Sequence, residues 1–190
     1  IFAILWGLDE RDPNNIVENT LDSEAFEADS TWYGGVRLVR YVTPVEFATF
    51  HDSGVRFSDT ITLEQYAISN EITINPGDII QLQLIWSTNT SLDTRYKVFV
   101  QLLDVDGFLV AQRDAEPGGG LSPTISWQVN QLITDNHALI MPKDLPPSHY
   151  QLIIGLYNIN DPYERLFVAG TNDTQDYLTI TEIDVVNTPQ

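Results

Sequence analysis

From residue 79 onward apolar and polar side chains alternate with a period of two, the spacing that sends successive residues to opposite faces of a sheet. Ile80, Leu82, Leu84 and Trp86 fall on one face and Gln81 and Gln83 on the other, and Tyr96, Val98, Val100 and Leu102 repeat the pattern. Both segments read as central strands. Asp106-Gly107 separates the second from Phe108-Leu109-Val110-Ala111, and an Asp-Gly pair suits the positive φ angles of a tight turn, so residues 95–114 are expected to form a hairpin. Glu116-Pro117-Gly118-Gly119-Gly120 can sustain neither helix nor ladder and reads as a loop at a sheet edge. Residues 132–141 follow as a strand, 142–148 as a proline-rich turn, and Tyr150, Leu152, Ile154 and Leu156 as one buried strand face. Residues 158–164 turn the chain, and 165–168 and 177–186 close the series.

The first third is less regular. Residues 36–42 and 55–61 have strand character, residues 22–29 fit a short acidic helix or a loop, and 9–30 are the least defined part of the pattern. Residues 68–74 lead into Asn75-Pro76-Gly77-Asp78, whose Pro-Gly pair favours a type II turn before the strand at 79. Many short strands with turn signals between them predict an all-β fold, a two-layer antiparallel β-sandwich of jelly-roll or immunoglobulin-like kind. The 190 residues, 43% of them apolar, suffice for one substantial core. A single domain over 1–190 is expected, with 1–35 as an N-terminal extension.

Charge narrows the partners. Nine Lys and Arg against 27 Asp and Glu give a formal charge of −18, and such a surface repels phosphate backbones, so nucleic acid and anionic lipid are not expected partners. Acidity of this kind fits a solvated surface, a divalent cation or a neutral ligand. The longest apolar run, residues 1–6, is far short of the roughly 20 residues of a spanning helix, so no direct membrane insertion is expected. That run lacks the basic flank and cleavage site of a signal peptide and reads as a strand or the start of an excised segment. Without cysteine there is no disulfide, thiolate metal site or Cys nucleophile, which is compatible with a bacterial cell-surface protein.

The motifs Asn75-Pro76-Gly77-Asp78, Leu84-Ile85-Trp86, Tyr96-Lys97-Val98-Phe99-Val100-Gln101-Leu102-Leu103-Asp104, Asp106-Gly107, Val110-Ala111-Gln112-Arg113-Asp114 and Gly155-Leu156-Tyr157 with Arg165-Leu166 carry a resemblance. Over residues 55–166 the chain resembles a β-sandwich domain that follows the membrane-spanning part of large bacterial glycosyltransferase-like proteins of the dolichyl-phosphate-mannose mannosyltransferase type. Pro146-Pro147 before Tyr150 also fits, with Ser148-His149 where that family more usually has a glycine. The resemblance implies a β-sandwich and an extracytoplasmic accessory domain, tethered through a parent membrane protein whose membrane portion performs the transfer. It brings no catalytic residue to these positions.

Catalytic motifs are missing. His51 stands beside Asp52 and Ser53, but no G-x-S-x-G elbow accompanies it, and neither His137 nor His149 has the spacing of a zinc site. Asp104-Val105-Asp106-Gly107 has the alternating carboxylates that open a calcium loop but lacks the downstream Glu. Calcium held by loop carboxylates is a separate possibility, with Asp114, Glu116 and Asp135 as first candidates and Asp161 and Asp173 as others. Sugar-binding sandwiches present exposed aromatic faces to sugar C–H groups beside polar side chains that bond the hydroxyls. Trp127, Tyr163 and Tyr157 are the candidate rings, with Asn158, Asn160 and Asp161 as polar partners; Trp6, Trp32 and Tyr33 are also free by pattern, while Trp86 reads as core. The leading expectation is a non-catalytic domain that contacts a glycan or orients its parent at a membrane surface. A structural or protein-interaction module is one alternative, and a hydrolase or lyase with paired carboxylates another.

Overall fold

The computed structural model describes residues 1–69, 73–172 and 174–186. The chain opens with β1 (Phe2–Leu5), two short helices, α1 (Leu8–Arg11) and α2 (Ile16–Glu24), and a hairpin of β2 (Phe26–Tyr33) and β3 (Val36–Val42). It continues through β4 (His51–Phe57), β5 (Ile61–Ile68), β6 (Thr73–Ile74), β7 (Ile79–Thr88), β8 (Tyr96–Leu103) and β9 (Leu109–Ala115). After 3-10 turns at Pro117–Gly120 and Thr124–Ser126 come β10 (Ile133–Ile140), β11 (His149–Asn158), β12 (Asp161–Arg165) and β13 (Leu178–Val185). No helix among the described residues is long and apolar enough to cross a membrane.

Two sheets form the sandwich. One has the order β10-β7-β5-β4 and the other β6-β13-β11-β8-β9, with β12 pairing on β11 and a short parallel ladder between β6 and β13. The alternating residues of the sequence make the interface: Ile80, Leu82, Leu84 and Trp86 from β7 meet Val98, Val100 and Leu102 from β8 and Leu152, Ile154 and Leu156 from β11 in one core. Each such aliphatic side chain, fully buried, contributes roughly 1.5–3 kcal/mol. Phe57 meets Trp86 edge-on, with ring centroids 5.9 Å apart. Gly107 supplies the positive φ (81°) in the β8–β9 turn, and Asp104 Oδ1 accepts the N–H groups of Asp106 and Phe108. That oxygen therefore serves the turn.

Several boundaries differ from the pattern. Residues 55–61 are not one strand but the end of β4, a turn and the start of β5, because Ser58 and Asp59 take left-handed φ values of 45° and 58°. Residues 22–29 are neither helix nor loop throughout: α2 ends at Glu24 and β2 begins at Phe26. The expected turn over 158–164 is itself a hairpin, since β11 runs to Asn158 and β12 starts at Asp161. Residues 165–168 form no separate strand; β12 ends at Arg165 and Val168 makes an isolated bridge to Phe57. Residues 70–72, within the segment expected to lead into the Pro76-Gly77 turn, lie outside the described residues.

A third sheet, β1-β3-β2, lies against the β10 side of the sandwich. Its covered face packs Leu5, Val39 and Tyr41 under the helices through Ala25, Leu8 and Leu21, while Phe26 and Ala28 join Ala138 and Ile140 on the outer side of β10. Glu27 ties the sheets electrostatically, 2.9 Å from Arg113 on β9 and 3.5 Å from Arg37 on β3.

Antiparallel register places Asp135 opposite Leu84 and His137 opposite Leu82, so both polar side chains point into the sandwich interior. Asp135 is fully buried. Its Oδ2 accepts Trp86 Nε1–H at 3.2 Å and lies 2.7 Å from His137 Nε2, and its Oδ1 accepts the Gly118 N–H at 2.9 Å. A buried carboxylate is tolerated when its lone pairs are met in this way. Gly118 and Gly119 hold left-handed φ values of 64° and 65° that bring the loop over the carboxylate. On the other side of the loop Asp22 of α2 accepts a 2.7 Å bond from the Tyr41 hydroxyl. Burial pushes the Asp22 carboxyl up to about 6, opposed by the Tyr41 bond and reinforced by Glu27 and Glu18.

Two outcomes are expected. Asp135→Ala strands the Trp86, His137 and Gly118 groups and should lower stability by about 3–5 kcal/mol in urea unfolding, with Asp135→Asn less affected. Because the folded pKa of Asp22 lies above its unfolded value, its protonated form favours the fold, a contribution complete below about pH 4 and lost as pH rises through about 6. Asp22→Asn should therefore melt like the parent at pH 3.5 and higher than it at pH 7.5.

Candidate functional site

Parity along the second sheet sends Lys97, Phe99 and Gln101 of β8 to its outer face, where the register sets Tyr157 beside Lys97, Gly155 beside Phe99, Asp114 beside Phe99 and Gln112 beside Gln101. Gln101, Gln112, Asp114 and Tyr157, with Tyr163 and Arg165 of β12 and Asp176, line an open concavity of about 700 Å³. The floor is Phe99. Its ring occupies the space over Gly155, and the Arg165 guanidinium lies 4.5 Å from the ring centroid while pairing at 3.4 Å with Asp176. Phe99 and Tyr157 stack with centroids 6.4 Å apart.

The polar groups are positioned by one another. Tyr157 donates its hydroxyl to Asp114 Oδ2 at 3.2 Å, and Gln101 Nε2 lies 3.4 Å from Gln112 Oε1. Asp114 Oδ1 is buried and has no hydrogen-bond partner among the described residues. Burial pushes the Asp114 carboxyl above its ordinary range, against the lowering pull of the Tyr157 bond and of Lys97, Arg113 and Arg165. A neutral carboxyl bears the unpaired oxygen at lower cost than a charged one. Burial, and then the Asp114 charge, push Tyr157 up to about 12, so its phenol keeps the proton.

Of the residues singled out from sequence, Tyr157, Tyr163 and Asp114 come together here. Asn158, Asn160 and Asp161 build the hairpin beneath Tyr163: Asn158 Oδ1 accepts the Asn160 N–H, Asn158 Nδ2 donates to Glu164, and Asp161 Oδ1 accepts the Tyr163 N–H. They hold the ring out into solvent, where it is 94% exposed. Trp127 corrects the expectation of a second platform, since it is only 4% exposed, joins the core and donates its indole N–H to Ser122 O at 2.8 Å. Gln101, Gln112, Arg165, Phe99 and Asp176 were not among the site candidates. For the two glutamines the signal was present, as polar residues at strand positions facing away from the core.

The three metal candidates are engaged apart from one another: Asp114 with Tyr157, Glu116 with Arg95, and Asp135 with the buried Trp86 and His137. Among the described residues no group of three or more His, Asp or Glu is arranged to hold a metal ion. Asp173 lies outside the described residues. His51 stacks on Tyr66 at 5.1 Å, and Asp52 accepts from Gln65. His149 pairs with Asp184 at the surface, beside a separate hollow of about 540 Å³ lined by Asp104, Asp106 and Glu182.

No protein-family model matches the chain, and no curated protein matches it. Among solved structures it is similar to a Niemann-Pick type C2 protein from Japanese carpenter ant, with a TM-score of 0.43 at 9% identity over 73% of this chain and 99% of that one. It is also similar to the C-terminal domain of Wzt, with a TM-score of 0.44 at 11% identity over 71% of this chain and 78% of that one. A family 123 glycoside hydrolase from Clostridium perfringens gives a TM-score of 0.40 at 13% identity, over 75% of this chain and 28% of the hydrolase.

A Cβ at Gly155 would sit 2.3 Å from Phe99 Cζ and 2.7 Å from the Asp176 carbonyl oxygen. Gly155→Ala must therefore displace the floor of the concavity, and it is expected to cost about 1–3 kcal/mol in chemical unfolding.

Proposed function

We propose that this chain is a glycan-binding β-sandwich whose binding face is the concavity around Tyr157 and Tyr163, and that it serves as a non-catalytic extracytoplasmic accessory domain of a membrane glycosyltransferase-like protein. The observation that carries the binding reading is the Tyr163 ring, 94% exposed on a hairpin whose backbone the Asp161 bond fixes, at the rim of a hollow walled by amides and carboxyls. A tyrosine has only two side-chain torsions, so it loses little conformational freedom when a sugar stacks on it. Gln112 and Asp176 offer the hydroxyls both donors and acceptors. The accessory role is supported by the sequence resemblance over residues 55–166.

A hydrolase reading has one observation in its favour: Asp114, raised by burial, and Asp176, paired with Arg165, line the same hollow. Unequal carboxyls of this kind can divide acid and base roles.

A glycan array followed by calorimetric titration, with and without calcium, tests the proposal. Tyr163→Ala is expected to weaken any saccharide hit at least tenfold without lowering the melting temperature, and calcium dependence would mark a metal-bridged ligand. An array with no hit would sink the glycan reading, and turnover of a hit, lost in Asp114→Asn, would decide for the hydrolase.

A further inference from the structure

Four of the nine Lys and Arg residues in this chain of charge −18 line two adjoining hollows. Arg165 belongs to the aromatic concavity. Arg37, Lys97 and Arg113 belong to a second hollow of about 380 Å³, at the seam between the third sheet and the sandwich. Asp114 borders both, so the two adjoin at one side chain. Three of the four cations are already neutralised: Arg165 by Asp176, Arg113 by Glu27, and Arg37 by Glu18 and Glu27. Lys97 is in no ion pair among the described residues.

That exception is informative because carboxylates outnumber cations three to one and one of them is at hand. Glu116 lines the same hollow, yet Arg95 holds it in a two-point pair. Lys97 is half-buried on the outer face of β8, directly opposite Tyr157. Its side chain lines the hollow. Trp32 borders the same hollow with its side chain 64% exposed, beside the backbone of Gly119 and Gly120. From Gln101 to Lys97 the groove follows four residues of β8, about 13 Å at strand rise. That length suits several linked sugars.

We propose that the two hollows form one groove for an acidic oligosaccharide, in which a uronic acid carboxylate pairs with Lys97 and a neighbouring sugar ring lies on Trp32. The proposal rests on the glycan reading of the aromatic concavity and specifies its ligand class. A neutral sugar would leave the ammonium in a partly desolvated place with only the longer-range pull of Asp114, whereas a carboxylate pairs with it directly. Elsewhere the acidic surface repels such a chain, so the groove also sets where it lands.

The test is calorimetry on the 190-residue chain with tetragalacturonic acid and with mannotetraose, each at 25 and 250 mM NaCl. The acidic tetramer is expected to bind at least tenfold tighter at low salt and to lose most of that advantage at high salt. Lys97→Gln should abolish the preference while leaving the melting temperature unchanged, and Trp32→Ala should weaken both saccharides. Equal affinity for the two tetramers, or a preference that survives Lys97→Gln, would overturn the acidic-ligand proposal and leave the glycan reading standing. If neither tetramer binds in any condition, both are overturned. Acidic binding that depends on Lys97 but is unmoved by Tyr163→Ala keeps the anionic hollow and removes the aromatic concavity.

Discussion

The carboxylate of Asp135 is the constraint on which the arrangement turns. It sits inside an otherwise apolar interface, and three groups from different parts of the chain converge on it: the Trp86 indole of β7, the neighbouring His137 and the backbone of the Gly118 loop. Hydrophobic burial alone would let the Gly118 loop slide over the edge of the core, because contact between aliphatic side chains has little directionality. Hydrogen bonds to a single buried acceptor do not slide. They tie β10 to β7 through their side chains and anchor the loop that α2 rests against.

From that anchor the site follows outward. The glycine loop carries the chain from β9 to β10 and meets α2, which brings the third sheet with Trp32 and Arg37 to the edge of β9. Glu27 then holds Arg113 and Arg37 together across the seam. On the sandwich itself Gly155 makes room for Phe99, and Phe99 supports Arg165. The binding face is thus an outer surface shaped from beneath by packing, and its polar side chains are held mainly by each other.

The strands that were legible are those with one face in the core. β7, β8 and β11 carry uninterrupted alternation, and each lies where the period of two placed it. Legibility failed where another rule outweighed the period. Asp135 and His137 occupy inward positions that a polar-outward reading assigns to solvent, because the partners that satisfy them come from residues 86 and 118. Residues 55–61 conceal a turn, because Ser58 and Asp59 adopt φ values for which glycine is the usual marker. Trp127 follows a proline turn and looked free, but its indole finds an acceptor five residues back at Ser122 and the ring closes into the core. Tyr157, Tyr163 and Asp114 were individually visible; their meeting depends on β9 and β12 flanking the β8–β11 pair, which no local pattern encodes.

The unequal exposure of the four tryptophans gives the molecule a built-in optical reporter. Trp86 and Trp127 are shut in the core, while Trp6 and Trp32 are open to water. Their emission should divide into a blue, unquenchable component that reports on the sandwich and a red, iodide-accessible one that reports on the N-terminal sheet. Loss of the red component's accessibility with the blue one unchanged would be the spectroscopic sign of a molecule covering the seam while the sandwich beneath stays as it was.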